Sequence, residues 1–535
     1  MVNVTINGIK TQVPQGTNVI EAARRVGVFI PHYCYHPRLS IAGNCRMCLV
    51  EVGGPMLGPD RQPILNADGT PRIVMQPKPA IGCNTLVSEG MVVVTHSAAV
   101  TQMRHAVLEF LLINHPLDCP ICDQAGECRL QEFAVDFGAD ASRFREEKVR
   151  KPKKVDIGPR VMLDDERCIL CSRCIRFMRE IAKDDCLGFI GRGSHTTLTI
   201  WPGRKLNSNY SLNTVDLCPV GALTDKDFRF KMRVWFLKKT RSICTSCATG
   251  CNTILWSREN VVYRQTPREN NAVNQCWMCD AGRLNYKFIN DPARLRKALV
   301  AEKETAYADA VKQAGAKLKT ALAKRETVAF VGSARATNEE LYLFAKLAKG
   351  SLSDCVPRTW PGDDLLVNPA RNPNTAGARI FGVAAEPMGS RLAEIAEGIK
   401  SGKITTLVVH QEDVAKHGIR AELLAKLSLL IVIDFKPTSA AQTAHFVLPG
   451  VTFAEKRGTY TNAKGRVQSV WPAVNIGGDA RPDWEILRDL LVETGISANY
   501  ADIAALFADM AANTKAFTGL TLAKVGDEGV QISTS

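Results

Sequence analysis

The sequence predicts an α/β chain of several domains, thiol-rich at the front and built on parallel sheet at the back. Three observations predict it. The chain has 535 residues, enough for three or four domains and a large core. Fifteen of its 18 cysteines fall into four groups, all before residue 280. Beyond residue 290 short apolar runs alternate with helical segments, the pattern of βαβ units.

Composition narrows the class. Hydrophobic residues make up 45% of the chain, as in a folded globular protein. No run approaches the ~18 apolar residues of a membrane span; the run Leu429 to Ile433 is strand-sized. The N-terminus, MVNVTINGIKTQVP, has neither a charged leader nor an apolar core, so no secretory signal is expected. In an unexported chain, 18 cysteines argue against a disulfide framework. The net charge of +14 points to an acidic partner surface or anionic lipid headgroups nearby. No zinc-finger spacing with paired histidines and no aromatic–basic RNA signature is present, so no nucleic acid is expected as partner.

Val2, Val4 and Ile6 alternate with polar residues, Asn7-Gly8 is a two-residue hairpin turn, and Thr11 and Val13 continue on the return strand. Val19, Ala22, Ala23 and Val26 then recur at helical spacing until Gly27. Hairpin, helix and a loop carrying Cys34 are how a plant-type ferredoxin begins. The first group is Cys34, Cys45, Cys48 and Cys83, with Gly43 beside the Cys45-x-x-Cys48 pair. Ten residues precede that pair where the plant pattern has four, which puts the loop shape in doubt rather than the ligation. A four-thiolate zinc site is the competing reading. Gly53 to Pro79 reads as an extended, exposed hairpin.

Ser97 caps a predicted helix with Val100, Met103, Val107, Phe110 and Leu111 on one face. Asn114-His115-Pro116 ends it and opens the stretch on which the chain turns, HPLDCPICDQAGEC. Pro116, Pro120 and Gly126 bend this loop so that His115, Cys119, Cys122 and Cys128 can converge. Three soft thiolates and one imidazole suit an iron–sulfur cluster or zinc. From Ala141 to Gly158 the chain is charged and irregular, a linker or solvated surface.

Cys168-x2-Cys171-x2-Cys174 is the run of bacterial 4Fe–4S proteins. Met178 stands where a two-cluster ferredoxin has its next cysteine, so one cluster is expected, with Cys218-Pro219 supplying the distant ligand. Cys186 carries no such cue and reads as a spare buried thiol. The fourth group is Cys244, Cys247 and Cys251, completed by Cys279 with Cys276 as rival; the extra Cys251 suits a cubane better than a zinc ribbon.

In the back half, strands are predicted at Val328 to Val331, Ile404 to Val409 and Leu429 to Ile433, with helices over about Asn338 to Lys349 and Ala415 to Lys426. There is no G-x-G-x-x-G after a strand and no Walker loop. His445 to Gln468 reads as a turn-rich loop whose polar groups line a cleft.

The four groups in this order resemble the large iron–sulfur subunit of respiratory complex I, the NADH-quinone oxidoreductase. The match runs from residue 1 to about 475 and is most specific across the first 290. The resemblance implies a β-grasp 2Fe–2S ferredoxin domain over 1–96 and a His(Cys)3-ligated 4Fe–4S segment over 97–140. A single-cluster ferredoxin-like 4Fe–4S domain follows over 141–236, then a 4Fe–4S domain of the molybdopterin type over 237–293. A shortened molybdopterin-oxidoreductase-like α/β domain takes 294–535. Carried over, one 2Fe–2S cluster would sit on Cys34, Cys45, Cys48 and Cys83. Three 4Fe–4S clusters would sit on His115, Cys119, Cys122 and Cys128; on Cys168, Cys171, Cys174 and Cys218; and on Cys244, Cys247, Cys251 and Cys279. Only some members keep the last, as a side cluster. The AHFVLPGVTFAEKRGTYTNAKGRVQ stretch is similar to a segment found throughout the molybdopterin superfamily. Cys355 lacks the context of a molybdenum ligand, however, and no molybdenum is expected.

No acid/base pair or nucleophile stands out, so the expected role is electron transfer with no complete active site in this chain. The resemblance implies a flavin- and NADH-binding partner, other iron–sulfur subunits leading to quinone, and proton pumping elsewhere. It places the chain peripherally on the cytoplasmic side of the bacterial inner membrane, touching the membrane only through partners. The rival readings are a subunit of an NAD-reducing hydrogenase, an iron-only hydrogenase, a formate dehydrogenase-like molybdoenzyme and a zinc-stabilised scaffold.

Overall fold

The computed structural model describes residues 1–60, 62–139, 141–475 and 477–533; the expected domain limits at 140 and 535 lie outside them. The chain forms two compact units, Met1–Trp235 and Phe236–Ser535. No helix among the described residues is long and apolar enough to cross a membrane.

The first unit opens with strands β1 (Val2–Ile6) and β2 (Ile9–Val13). Asn7 and Gly8 both take positive φ, the geometry a two-residue hairpin needs. Helix α1 (Val19–Arg25) is capped by Asn18, whose side chain accepts from the Glu21 N–H, and Gly27 at φ +74° closes it. Strands β3 (Leu49–Pro55), β4 (Ile73–Met75), β5 (Ala80–Ile81) and β6 (Met91–Val94) complete a sheet of order β2-β1-β6-β3-β4, with β5 on β3. β1 and β6 run parallel, and α1 packs on the sheet through Val19, Ile20, Ala22 and Ala23: a β-grasp. Leu57, Leu65 and Val74 on the excursion before β5 are exposed.

Helix α2 (Ala98–Leu112) starts at Ser97, as its cap predicts, and buries Val100, Arg104 and Leu108 in one row. It packs against β3 and α3 (Arg129–Phe137). Strands β7 (Val155–Asp156) and β8 (Val161–Leu163) precede α4 (Arg173–Glu180). A hairpin of β9 (Leu187–Ile190) and β10 (Thr197–Ile200), α5 (Asn213–Leu217) and β11 (Leu223–Asp225) end the unit, with β11 pairing β8.

The second unit begins with an antiparallel sheet, β12 (Lys238–Ile243), β13 (Asn252–Arg258) and β14 (Val261–Pro267), followed by α6 (Asp280–Leu284). Its large sheet holds β15 (Ala298–Val300), β16 (Lys303–Thr305), β17 (Val328–Gly332), β18 (Leu352–Cys355), β19 (Thr406–His410), β20 (Leu429–Asp434) and β21 (Phe446–Pro449). The order β16-β15-β21-β20-β19-β17-β18 has five parallel strands and an antiparallel edge. This is a doubly wound sheet.

Alternate side chains of each central strand feed two cores. Leu429, Ile431 and Ile433 join α7 (Tyr307–Leu322) and α8 (Asn338–Ala348) on one face. Leu430 and Val432 join α10 (Leu392–Lys400), α11 (Ala421–Leu424) and α12 (Ser439–Thr443) on the other, while α9 (Thr375–Ile380) packs beside α8. Strands β22 (Gly458–Thr461) and β23 (Arg466–Val470) and helix α13 (Asp483–Glu493) follow.

Two expectations need correction. The helix expected over Ala415 to Lys426 is a 3-10 turn, Val414–His417, then α11, because Gly418 at φ +94° breaks it. The segment His445 to Gln468 is not loop throughout: it contains strand β21 and the β22–β23 hairpin, with turns between them.

Asp434 ends β20, and burial pushes its carboxyl up to about 7. The ordinary value is 3.8, so the folded state holds this proton more tightly than the unfolded chain does. That contribution is intact below the unfolded value and lost as pH rises through the folded one. At 1.36 kcal/mol per unit, the loss is on the order of 4 kcal/mol. Asp434→Asn should therefore gain stability relative to the parent as pH climbs from about 4 to 7, read from denaturant unfolding. A difference that stays constant across that window would refute the assignment.

Candidate metal centres

All 18 cysteines are free thiols. In the first set, Cys34, Cys48 and Cys83 are buried and Cys45 half-buried. Cys34 is pushed down by hydrogen bonds from the Cys45 and Cys83 thiols, and Cys48 by one from Cys83; the donors Cys45 and Cys83 are pushed up. The four thiols are thus linked electrostatically as one set. Gly43 and Arg46 take positive φ around Cys45, and the Cys34 N–H points at Cys45 Sγ at 3.5 Å.

The third set repeats the device. Leu170 and Ser172 sit at φ 56° and 60° between the cysteines of the run. The Leu170 N–H points at Cys168 Sγ at 3.4 Å. Cys174 enters on the first turn of α4, and Cys218 follows the end of α5. Burial lifts all four thiols, Cys218 to about 12, and each acts electrostatically on others of the set.

In the second set, Cys122 and Cys128 are buried and Cys119 is exposed on a short 3-10 turn. Burial pushes Cys128 up to about 11, and Cys122 and Cys119 add to it. Gly126 at φ +87° lies against Trp235, where a Cβ would meet the ring at 2.6 Å. Arg233 donates to the Cys122 and Pro120 carbonyls. Burial pushes His115 down to about 4, so its ring is neutral at pH 7, the form that ligates metal. Its main electrostatic neighbours are Asp118, Arg167, Lys148 and Lys153, with no thiol among them. The structure gathers the three thiols; it does not show His115 acting on them.

In the second unit, Cys244 closes β12 and Cys251 opens β13, joined by the Cys244 N–H to the Cys251 carbonyl at 2.7 Å. Burial raises Cys244 to about 12 and Cys279 to about 11, and Cys251 well above its usual range. Cys244, Cys247, Cys251 and Cys279 act on one another. Gly282 is pressed against this set: a Cβ there would lie 2.9 Å from Cys244 Sγ and 3.1 Å from Cys279 Sγ. Its N–H donates to Cys279 Sγ at 3.3 Å. Half-buried Cys276 is not among the main neighbours of these thiols, nor are buried Cys186 and Cys355.

Within the first unit the sets adjoin. One apolar cluster contains Cys34 and Cys45, Cys128, and Cys168, Cys171 and Cys218, around Tyr33, Leu108, Phe133 and Val220. The Arg173 guanidinium acts on Cys171, Cys34 and Cys45, and donates to the Tyr35 and Leu217 carbonyls. Arg176 reaches the Cys34 and Cys171 carbonyls. On the other side, a Cβ on Gly221 would lie 2.5 Å from Cys122 Sγ, and the Arg129 N–H donates to the Pro219 carbonyl at 2.9 Å. The third set therefore adjoins both the first and the second, and Cys45 and Cys128 of those two also meet around Tyr33. Sequence reasoning missed Arg173, Arg176, Gly221 and the left-handed Arg46, Leu170 and Ser172. The one available signal was two arginines three residues apart inside and after the Cys-x2-Cys-x2-Cys run.

Among the described residues no three His, Cys, Asp or Glu side chains are grouped as a single-ion site. The donor sets nonetheless fit iron–sulfur clusters. Mostly buried thiols are grouped in fours or threes, glycines are held bare against sulfur, and backbone N–H groups are turned toward it. Beyond β17, β19 and β20 lies a small crevice. Arg335, Gln411, Phe435, Lys456 and Tyr460 fill it to about 20 Å³, room for about one water.

A β-grasp domain, three further cysteine-rich segments and a doubly wound sheet define a multi-cluster iron–sulfur protein. The family models agree: a 2Fe–2S iron–sulfur cluster binding domain matches residues 1–98, and the NADH-ubiquinone oxidoreductase-G iron–sulfur binding region matches 104–143. The ferredoxin-like domain of NADH-quinone oxidoreductase subunit 3 matches 158–224. The molybdopterin oxidoreductase Fe4S4 domain and the molybdopterin oxidoreductase model match 237–291 and 367–493. NADH-quinone oxidoreductase subunit 3 of Thermus thermophilus is 40% identical over 65% of this chain and 46% of its own length. The mitochondrial NADH dehydrogenase [ubiquinone] iron–sulfur protein 1 of Solanum tuberosum is 31% identical over 95% of this chain and 82% of its own. A solved chain titled as an NAD+-reducing [NiFe]-hydrogenase in the H2-reduced state is 29% identical, with TM-score 0.36, over 44% of this chain and 91% of its own. The chain belongs to the family of large iron–sulfur subunits of NADH-quinone oxidoreductase, respiratory complex I. It spans about half the length of the Thermus and Rickettsia relatives, 46% and 49%.

Proposed function

We propose that this chain is an electron carrier in a respiratory NADH-quinone oxidoreductase. It takes electrons from a flavin-bearing partner and hands them to further iron–sulfur subunits on the way to quinone, with protons pumped elsewhere. The observation that supports this best is the single apolar cluster holding thiols of three sets, with Arg173 and Gly221 packed at the two junctions.

Cys34, Cys45, Cys48 and Cys83 would hold a 2Fe–2S cluster. Three 4Fe–4S clusters would be held by His115, Cys119, Cys122 and Cys128; by Cys168, Cys171, Cys174 and Cys218; and by Cys244, Cys247, Cys251 and Cys279, the last in preference to Cys276. When bound, such clusters accept and release single electrons at potentials set by net charge, hydrogen bonds to sulfur and solvent exposure. This chain's residues set all three. The apolar cluster keeps water from the thiols, the N–H groups of residues 34, 170 and 282 face sulfur, and Arg173 places a positive charge between two sets.

NADH oxidation belongs to a partner subunit, and so does quinone reduction. The chain lies peripherally on the cytoplasmic side of a bacterial inner membrane and meets the membrane through other subunits. The crevice of the back domain is filled by its own side chains, which supports a domain without molybdenum.

The deciding experiment is iron, sulfide, zinc and molybdenum analysis of anaerobically purified chain, read beside its EPR spectrum. About fourteen iron and fourteen sulfide per chain are expected, the sum of one 2Fe–2S and three 4Fe–4S clusters. Zinc near four with no sulfide would establish the scaffold reading instead, and bound molybdenum or tungsten would overturn the metal-free back domain.

A further inference from the structure

Val100, Arg104 and Leu108 form the buried row of α2. An aliphatic side chain at 104 would complete it; the chain places a guanidinium there, 5% exposed. Among the described residues its Nε and Nη2 have no hydrogen-bond partner, and its Cζ lies 5.3 Å from the centre of the Phe137 ring. Burying an unpaired cation costs several kcal/mol, so such groups are rare unless something anionic answers them. Among the described residues the one ionisable group acting on Arg104 is Cys48, a member of the first set.

We propose that Arg104 is the buried counter-charge of the 2Fe–2S cluster held by Cys34, Cys45, Cys48 and Cys83, and that it raises that cluster's reduction potential. The inference rests on the cluster reading above. Two ferric ions, two sulfides and four thiolates leave a doubly negative group, and the electron taken up on reduction adds one more negative charge. A fixed cation nearby stabilises the reduced form more than the oxidised form, and the apolar surroundings of α2 and α3 leave that attraction poorly screened. The helix donating Arg104 follows β6 and lies outside the β-grasp sheet. The same arrangement explains why the guanidinium has no carboxylate partner among the described residues: a local carboxylate would cancel its effect on the cluster.

The test is a dithionite redox titration of the full-length, cluster-loaded chain, following the 2Fe–2S EPR signal in the parent, Arg104→Met and Arg104→Lys. Arg104→Met should lower the equilibrium constant for one-electron reduction at least tenfold, a midpoint shift of about 59 mV to more negative potential. Arg104→Lys, which keeps the charge, should return most of the way. Thermal unfolding of the cluster-free proteins should find Arg104→Met no less stable than the parent, because methionine fills the row without a buried charge. An unchanged midpoint in Arg104→Met, or equal shifts in both variants, would overturn the proposal. If Arg104→Met fails to retain the cluster, retention by Arg104→Lys supports a charge role, and loss from both overturns it. A parent chain that shows no 2Fe–2S signal would bring down the cluster assignment itself, and this proposal with it.

Discussion

Cys174→Ala is expected to reduce NADH-to-quinone electron transfer to the background of the assay. Cys174 enters on the first turn of α4, buried, and is acted on by Cys171, Cys168 and Cys218. Alanine leaves three thiolates for a cluster that needs four ligands, and about four iron per chain should be lost with one EPR signal. The third set adjoins both others of its unit, the first through Arg173 and the second through Gly221. Its removal takes out the cluster that would touch both. Cys251→Ala makes the contrast. Cys251 is as buried as Cys174 and belongs to a set of equal size, so the two substitutions remove similar metal. On the family reading the fourth set is a side branch. Cys251→Ala should therefore lose its own signal and keep most of the activity of the assembled complex. Equal loss of transfer in the two variants, with comparable assembly, would contradict the side-branch assignment.

The fold was legible where local chemistry and burial agree. Asn7-Gly8 dictates a tight hairpin, Ser97 a helix start, and the uninterrupted apolar run at 429–433 a strand buried on both faces; each is found. It was illegible where one backbone angle overrides a pattern. The residues around 415–426 have helical periodicity, yet Gly418 adopts φ +94° and splits them. The hairpin after β21 was hidden because its strands are buried by tertiary packing and carry threonines, arginine, glutamine and serine rather than alternating apolar residues. At the candidate site, spacing announced the thiols but not their setting. Nothing in the letters Leu170 and Ser172 requires positive φ; the run of cysteines imposes it by drawing three sulfurs inward. Arg104 is the reverse case. It breaks the apolar row of α2, and such a break in an otherwise consistent pattern is where function and local preference part.

Lys456→Met is expected to destabilise the second unit by about 3–5 kcal/mol, the range for removing one partner from a buried ionic cluster. The Lys456 ammonium lies 3.0 Å from Asp483 Oδ2, to which it donates, and 2.6 Å from Glu340 Oε1; all three side chains are at most 2% exposed. Each carboxylate also holds a helix start. Glu340 accepts from the Thr337 N–H in the capping box of α8, and Asp483 opens α13 while accepting from Gln411 Nε2 and the Val451 N–H. Burial alone would push Asp483 up; Lys456 and the hydrogen bonds from His410 and Gln411 hold it well below the usual carboxylate range. Methionine matches the length of the aliphatic stem but leaves two buried carboxylates with no cation between them. Asp483 loses the cation that holds it down, so the variant's deficit has a definite pH sign. Protonation relieves it at low pH, and it grows as pH rises toward neutrality. Denaturant unfolding at acid and neutral pH checks both features. The triple variant Lys456→Met, Glu340→Gln, Asp483→Asn, which removes the stranded charges, should recover much of the loss. A deficit below about 1 kcal/mol, the ordinary effect of a surface change, or one that does not vary with pH, would show that this cluster is not what joins the two helix starts to the end of the sheet.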